Sequence, residues 1–458
     1  MRASTWAVAF AVVLLAACGG PEPAPPTGSG PSGGTGVNNI AGSPNVSNVT
    51  INGDASDPAN VLAIDAIDDL EQYWANEFPK LYGEEFQPVS GGFYAVYPST
   101  GDLPPCAESE DDIAGNAFYC GQKDVIAWDA EGFMPVLRQK FGDFVIPVVL
   151  AHEYGHAVQA RSAMRGRTVT TELQADCFAG AWAKHAQEDG VFNVDSLQLD
   201  SALAGVLVLR DAPGTSSSDP DAHGSGFDRV SAFQDGYDNG TTPCKAYRDN
   251  DPMALELPFN DRIDEAREGN APYGDVVTMV PVDLEDYWSK VYPELADGDR
   301  WQPVKGLEPY HPGDPPSCGD ESAEGQVVIY CPADDYVGWD NEVAMPTIYD
   351  TAGDYAVATL LATQYGLAAL NRLGDDSDLQ TSTLRSDCLA GAYSASVFAE
   401  DREGSFQISP GDLDEGIEAL LVFRGEGDRE RQGAGFALVR AFREGFLGGA
   451  PPCLDYRG

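Results

Sequence analysis

Residues 141–158 read FGDFVIPVVLAHEYGHAV, and residues 171–183 read TELQADCFAGAWA. The first stretch contains the pattern H-E-x-x-H within an apolar run that predicts a buried helix. His152 and His156 are four residues apart, so they lie on one face of that helix and can bind the same metal ion. Glu153 can then act as general base for the water molecule that the metal activates. Two hydrogen-bonded core histidines without a metal are the alternative, but the chain has only 5 histidines and a chance match is improbable.

The second stretch can complete this metal site. A catalytic zinc site usually has three protein ligands, and two histidines leave it one short. Glu172 and Asp176 are four residues apart on a predicted helix, so one can bind the metal while the other supports a ligand. We predict Glu172 as the third ligand and Asp176 as the acceptor for the second N–H of a ligating imidazole. The alternative for Glu172 is a carboxylate that only stabilises the first turn of its helix.

Helices dominate the pattern of each half of the chain. We expect one helix from Asp143, acting as its N-cap, to about Ala163, and a second helix capped by Thr170 or Thr171. The predicted fold class is therefore α+β and mostly helical. Strand-like segments precede these helices at residues 92–96 and 116–120.

The chain repeats itself at an offset close to 211. Residues 352–369 read AGDYAVATLLATQYGLAA and align with residues 141–158, and residues 382–394 read STLRSDCLAGAYS and align with residues 171–183. We therefore predict a tandem duplication. The expected segments are a signal peptide at 1–18, a disordered Gly/Pro-rich linker at 19–61, a first domain at 62–248, an acidic linker at 249–274 and a second, degenerate copy at 275–458.

The second copy lacks the residues of the predicted metal site. Threonine, glutamine and leucine replace the two histidines, the base and the third carboxylate, at Thr363, Gln364, Leu367 and Thr383. Threonine and leucine cannot hold zinc in this arrangement. We therefore expect one zinc ion per chain and a second half that shapes the substrate cleft, binds a partner or stabilises the first half.

Apart from Cys18, the cysteines are divided equally between the two copies. An even set in an exported protein predicts disulfides, and four cysteines allow three pairings. A cysteine zinc site is the alternative, but it needs closely spaced pairs that this sequence lacks. Taking the closest pair of each copy first, we expect the bridges Cys106–Cys120, Cys177–Cys244, Cys318–Cys331 and Cys388–Cys453.

Residues 1–18 have the features of a lipoprotein signal peptide. The apolar run 6–17 follows Arg2 and is shorter than the about 20 residues that span a membrane. It ends in Leu-Ala-Ala before Cys18, which resembles a bacterial lipobox, so Cys18 is the expected site of lipidation. An ordinary signal peptide with an incidental cysteine is the alternative. The expected location is the cell membrane, lipid-anchored, on its extracytoplasmic face.

The charge of the chain excludes one class of partner. There are 27 Lys and Arg residues against 73 Asp and Glu residues, which gives a net charge of −46. Phosphate backbones repel such a surface, so we expect no nucleic-acid partner. The expected partners are protein or peptide substrates in the cell envelope and the membrane, through the N-terminal lipid.

H-E-x-x-H followed by E-L-Q-A-D-C-x-A-G-x-W resembles the bacterial neutral zinc metallopeptidases, within the wider gluzincin group. The resemblance spans most of residues 65–248. It implies a zincin-like domain, in which the Glu of E-x-x-A-D is the third zinc ligand and its Asp supports the site. These roles fall on Glu172 and Asp176, and they imply a zinc endopeptidase.

His223, in the segment His223-Gly224 that also resembles the family, is a further catalytic candidate. It could stabilise an oxyanion or protonate a leaving amine, or it could only cap a helix or lie on the surface. Two other functions stay open. One is a non-catalytic envelope binding or assembly lipoprotein with a structural zinc, and the other is hydrolysis of non-peptide amides such as wall crosslinks. The retained Glu153 favours catalysis, because a structural site has no use for it.

Overall fold

The computed structural model describes residues 47–458 except 190–191, 220–221, 251, 253, 400–401, 403–405 and 423–433. The predicted signal peptide, Cys18 and most of the predicted first linker lie outside these residues. A search of the described helices found no segment with the length and apolar character of a membrane span. The fold is mostly helical with small sheets, which confirms the α+β class.

The first half combines one sheet with a set of helices. Its strands are β1 (Ile51–Asn52), β2 (Gly92–Val96), β3 (Ala117–Cys120) and β4 (Val125–Asp129). Its helices are α1 (Pro58–Tyr82), α2 (Met134–Phe141), α3 (Val145–Arg161), α4 (Thr168–Glu188), α5 (Ser196–Val208), α6 (Gly226–Asn239) and α7 (Thr241–Ala246).

Helix α3 is the centre of this half. Every residue from Val145 to Gly155 is buried, so the helix has no solvent face and packs on all sides, as its continuous apolar sequence requires. Helices α1, α4 and α5 surround it, together with strand β3. The sheet has the order β1-β2-β4-β3, in which β3 is an edge strand antiparallel to β4. An edge strand therefore runs beside the helix that carries H-E-x-x-H.

The second half has a similar succession of helices and a smaller main sheet. After α8 (Arg262–Ala266), its helices are α9 (Tyr273–Leu295), α10 (Ala344–Ala352), α11 (Asp354–Leu373), α12 (Leu379–Phe398), α13 (Asp412–Val422) and α14 (Gly435–Gly448). Its strands are β5 (Gly306–Tyr310), β6 (Ser317–Cys318), β7 (Glu321–Ser322), β8 (Val328–Cys331) and β9 (Tyr336–Asp340). Strands β5, β9 and β8 form a sheet in that order, in which β8 is antiparallel to β9 as β3 is to β4.

Helices α4 and α6 approach each other at two glycines. A Cβ atom on Gly180 would lie 1.9 Å from the carbonyl oxygen of Phe233, and one on Gly236 would lie 1.7 Å from that of Cys177. No other residue type fits at either position. The disulfide Cys177–Cys244 fastens α4 to α7 next to this crossing. All four predicted bridges are present, at Cys106–Cys120, Cys177–Cys244, Cys318–Cys331 and Cys388–Cys453.

Two aspartates join the halves. Asp414 of α13 accepts hydrogen bonds from the backbone N–H groups of Gly226 and Phe227, at the start of α6 in the first half. Asp200 of α5 accepts hydrogen bonds in the same way from the first two residues of α14 in the second half. The N-terminal N–H groups of a helix have no partner within the helix, so each half supplies a carboxylate for the other.

The structure corrects several expected boundaries. Asp143 is not the N-cap of α3, which begins after Phe144, because its carboxylate is paired with Arg138 at 2.7 Å. Helix α4 begins before the predicted threonine caps, at Thr168. Part of the first predicted linker is ordered, since β1 lies at 51–52 and the side chain of Asp57 caps α1. The predicted acidic linker contains α8 and the start of α9.

Candidate metal centre

Helices α3 and α4 bring the three predicted ligands together. The Nε2 atoms of His152 and His156 are 3.2 Å apart. One carboxylate oxygen of Glu172 lies 3.2 Å from Nε2 of His152, and the other lies 3.4 Å from Nε2 of His156. Ligands about 2.05 Å from a tetrahedral zinc lie about 3.3 Å from one another. The donor set and its spacing therefore fit zinc.

The close approach of the two helices depends on a glycine between the histidines. A Cβ atom on Gly155 would lie 2.9 Å from Cα of Ala175. Because that contact brings the backbones together, the short carboxylate side chain of Glu172, one turn before Ala175, reaches the two imidazoles. The x-x part of H-E-x-x-H thus has a packing role in this chain.

A buried chain of polar groups orients His152. Its Nδ1 lies 2.7 Å from Oδ1 of Asp176 and donates its hydrogen to it, which leaves Nε2 towards the ligand cluster. Arg229 of α6 donates two hydrogen bonds to the same carboxylate, at 2.8 and 2.9 Å. Arg229 is 2% exposed and Asp176 is 1% exposed, so the pair is shielded from water. Burial alone would lower the pKa of His152, but the carboxylates of Asp176 and Glu172 raise it to about 10.

His156 is oriented by a second group. Its Nδ1 lies 2.9 Å from Oε1 of Gln159, and the amide nitrogen of Gln159 donates a hydrogen bond to the carbonyl oxygen of Thr171. The amide orientation makes Nδ1 the donor, so Nε2 of His156 also points into the cluster. Both imidazoles are therefore held in the orientation that presents Nε2 to a metal.

The pKa values of the two glutamates of the site are shifted in opposite directions. Burial raises the pKa of Glu153, which is 7% exposed, and the backbone N–H of Tyr119 in β3, which lies near its carboxylate, acts to lower that pKa. Burial also acts to raise the pKa of Glu172, but the two imidazoles outweigh it and hold that pKa well below its ordinary value. Glu172 is therefore a stable anion that is suited to bind a cation. Glu153 is suited to accept a proton.

His223 lies apart from this cluster in the contacts that the structure describes. Its side chain is 49% exposed, and its Nδ1 and backbone N–H both contact the carboxylate of Asp211. The next residue, Gly224, packs over Val169 and Leu173 of α4. The histidine is thus in a loop beside the helix that carries Glu172, without a direct contact to the ligands.

Two residues of the site were not predicted from the sequence, Arg229 and Gln159. A signal for Arg229 exists in the internal alignment, since Leu438 aligns with it and the residues that align with the histidines are Thr363 and Leu367. Gln159 has a similar signal, because it is three residues after His156 on the same face and aligns with Leu370.

The corresponding positions of the second half still share a pocket. Thr363, Gln364, Leu367, Thr383 and Leu438 all line it. Oε1 of Gln364 accepts a hydrogen bond from the backbone N–H of Tyr330 at 2.7 Å, which is the counterpart of the contact between Glu153 and Tyr119. None of these five side chains is a histidine or a carboxylate, so they do not reproduce the ligand set of the first half.

Comparison with known proteins places this geometry in context. Residues 5–247 match a family model described as "Putative neutral zinc metallopeptidase". The Escherichia coli (strain K12) protein named "Uncharacterized protein YpfJ" is 28% identical over 193 residues, which cover 37% of this chain and 64% of the relative. The Mycobacterium bovis protein named "Uncharacterized protein Mb2605" is 33% identical over 164 residues, which cover 30% of this chain and 55% of the relative. The chain thus spans less than two thirds of the length of either relative. No solved structure matches the chain.

Proposed function

Since the chain belongs to the family of neutral zinc metallopeptidases, we propose that it is a zinc-dependent endopeptidase that cleaves proteins or peptides of the cell envelope. The observation that carries the proposal is the convergence of His152, His156 and Glu172 with a buried Glu153 next to them. Three ligands leave a tetrahedral metal one open position, which is typical of a catalytic site.

The chain's own residues supply the proton transfers. When bound by the three ligands, zinc supplies Lewis acidity towards the scissile carbonyl and the attacking water. The carboxylate of Glu153 accepts a proton from that water and then delivers it to the nitrogen of the leaving amine. Burial raises the pKa of Glu153 above its ordinary value, which strengthens it as a base.

The sheet offers a place for an extended substrate. Strand β3 is the edge of its sheet, and the backbone N–H of its Tyr119 lies near the Glu153 carboxylate. A peptide chain can add to an exposed strand edge through backbone hydrogen bonds, which would lead its scissile bond past the base. This arrangement favours a peptide over a compact amide substrate such as a wall crosslink.

The remaining parts of the proposal concern anchoring and the second half. Lipidation at Cys18 would hold the enzyme at the extracytoplasmic face of the membrane, as the lipobox indicates. The second half would be a degenerate copy that binds no zinc and supports the first half. Its support is the equivalence of Asp200 and Asp414, each of which stabilises a helix of the other half.

The competing function is a binding or assembly lipoprotein with a structural zinc. Structural zinc sites usually have four protein ligands, whereas the described residues offer three here, beside a carboxylate suited to proton transfer. The Glu153→Gln variant separates the two functions. It should retain zinc and the fold but lose at least about 10²–10⁴-fold in the rate of peptide hydrolysis, because glutamine cannot accept the proton.

The experiment compares cleavage of envelope proteins by wild-type and variant chains of known zinc content. Gln364→Ala, at the equivalent position of the second half, is the matched control and should keep full activity. His152→Ala should lose both zinc and activity, and the wild type should contain about one zinc per chain. Full activity in Glu153→Gln would disprove the mechanism, and a wild type inert on every protein tested would favour the binding lipoprotein.

A further inference from the structure

A second cluster of acidic groups lies in the half without the zinc ligands. Asp354 is the first residue of α11, and Asp412 and Glu415 lie in the first turn of α13. Each residue contributes one carboxylate oxygen, and these three oxygens all lie within 4.8 Å of one another. The residues are 2%, 1% and 7% exposed, so water does not screen their charges.

Each carboxylate is fixed by a backbone N–H group. Asp354 Oδ2 accepts from Ala271 at 2.8 Å, Asp412 Oδ2 accepts from Ser409 at 2.7 Å, and Glu415 Oε2 accepts from Tyr355 at 2.8 Å. The other oxygens of the two aspartates, Asp354 Oδ1 and Asp412 Oδ1, are buried and have no hydrogen-bond partner among the described residues. Buried acceptors without a partner are costly, so this cluster calls for a ligand.

In the first half, the carboxylate at the position equivalent to Asp354 is neutralised by an arginine. Asp143 corresponds to Asp354 at the offset of 211, and it is paired with Arg138 at 2.7 Å. The residue that corresponds to Arg138 in the second half is Tyr349, whose hydroxyl donates instead to the carbonyl oxygen of Ala271. The second half has thus kept the carboxylate and lost its cation.

The second half has also gained two carboxylates at this place. Helices α5 and α13 align at an offset of 214, through Asp200 and Asp414, so Gln198 and Ser201 correspond to Asp412 and Glu415. Gly142 in the first half has open space where a Cβ would be, whereas a Cβ on the corresponding Gly353 would lie 2.1 Å from the Glu415 carboxylate. Glu415 has therefore occupied a space that is empty in the other copy.

Among the described residues none of the three groups forms an ion pair, and the only cation that the described residues place near Glu415 as an influence on its pKa, Arg210, acts to lower it. The nearby Arg210 is paired with Asp414 and Glu418, at 3.4 and 3.7 Å. A fourth acidic residue, Asp264, accepts a hydrogen bond from the hydroxyl of Ser409 and adds negative charge. Burial raises the pKa of Asp354 to about 6, so three anions are unfavourable there unless a cation or protons neutralise them.

We propose that Asp354, Asp412 and Glu415 form a second metal site, which binds a hard divalent cation, Ca²⁺, that the family function does not require. Carboxylate oxygens are the ligands that Ca²⁺ prefers, and the cluster has no nitrogen or sulfur donor that would favour zinc. Oxygens on opposite sides of Ca²⁺ are about 4.6–5.2 Å apart, so separations up to 4.8 Å suit it.

The site connects three segments that are distant in sequence. Its residues lie at the start of α11 and of α13, and Asp354 also holds the backbone of Ala271, just before α9. Helix α13 carries Asp414, which stabilises α6 in the first half. Calcium bound there would strengthen the second half and, through α13, its contact with the domain that holds zinc.

The test measures calcium binding by the full chain, purified with its zinc. Isothermal titration calorimetry and elemental analysis should find about one Ca²⁺ per chain. About 1 mM CaCl₂ should raise the melting temperature by about 3 °C or more, whereas the same concentration of MgCl₂ should raise it less. Asp412→Asn and Glu415→Gln should each abolish the calcium response, and Ser201→Ala, at the position equivalent to Glu415, should keep it.

Two results would overturn the proposal. A wild-type chain that contains no calcium and responds to none of Ca²⁺, Mg²⁺ and Mn²⁺ would show that protons neutralise the cluster. Loss of the calcium response in His152→Ala would show that the ion acts at the zinc ligands. Binding to the wild type is measured directly, so a variant that fails to fold does not prevent a decision.

Discussion

Asp200 and Asp414 occupy equivalent positions in the two halves, and each accepts two backbone hydrogen bonds from a helix of the opposite half. The lengths of these bonds are between 2.7 and 3.0 Å. Two further ion pairs, between Arg440 and Asp238 and between Arg443 and Asp235, join α14 to α6. The contact between the halves is thus made by equivalent helices, α5 and α13 through their aspartates and α6 and α14 through their ion pairs.

Removing one of these carboxylates should weaken the whole described fold. We expect Asp414→Ala to lower the free energy of unfolding by about 1–2 kcal/mol, because two N–H groups of α6 lose their acceptor. Urea unfolding monitored by circular dichroism measures the change. Asp200→Ala serves as the matched variant and should have an effect of similar size. If neither variant changed the midpoint, the halves would be held together by other contacts.

The orientation of His152 should depend on Arg229. We expect Arg229→Leu, which introduces the residue found at this place in the second half, to reduce zinc affinity about 10–100-fold. The variant leaves Asp176 buried without its cation, so the melting temperature should fall as well. Competition with a chromogenic chelator measures the affinity. Leu438→Met is the control in the second half, and an equal loss of affinity there would contradict the assignment.

The two disulfides of the first half should differ in their contribution to stability. Cys177–Cys244 closes a loop of 67 residues, and Cys106–Cys120 closes one of 14. The chain-entropy model gives about 4 kcal/mol for the longer loop and about 3 kcal/mol for the shorter one. Paired Cys→Ser replacements, compared by thermal unfolding, should therefore show the greater loss for Cys177–Cys244. The reverse order would mean that strain or residual structure dominates.

Asp228 should make the stability depend on pH. Burial raises its pKa from 3.8 to about 7, so between these values the folded chain binds a proton that the unfolded chain has released. Its contribution to stability is therefore present at low pH and is lost as the pH rises towards about 7. Asp228→Asn should gain stability relative to the wild type between pH 4 and pH 8, by about 1 kcal/mol or more. A difference that stays constant with pH would refute this.

The sequence predicted the ligands, the bridges and the fold class because each depends on a local or repeated pattern. His152 and His156 share a helix, and the cysteine pattern occurs twice. The structure places the three predicted ligands close together. That zinc binds to them stays a prediction. Arg229 was missed because it is 53 residues from its partner Asp176, and only the packing of α6 on α4 brings them together.

The helix boundaries show a second limit of the sequence. Asp143 resembles an N-cap in the sequence because it precedes an apolar run. In the folded chain its carboxylate instead forms an ion pair with Arg138. The acidic cluster around Asp412 was missed for a similar reason. Acidic residues are common in this chain, and their spacing does not show which of them become buried together.

The glycine contact between α4 and α6 has a consequence for mutational screens. Asp176 and Gly180 are one turn apart on α4, and Arg229 and Gly236 are two turns apart on α6, so the backbone contact and the ion pair share one interface. A side chain at either glycine must push the helices apart and pull the guanidinium from its carboxylate. A saturation library scored only for metal retention would therefore rank these two glycines with the histidines, although neither contacts the ligand cluster.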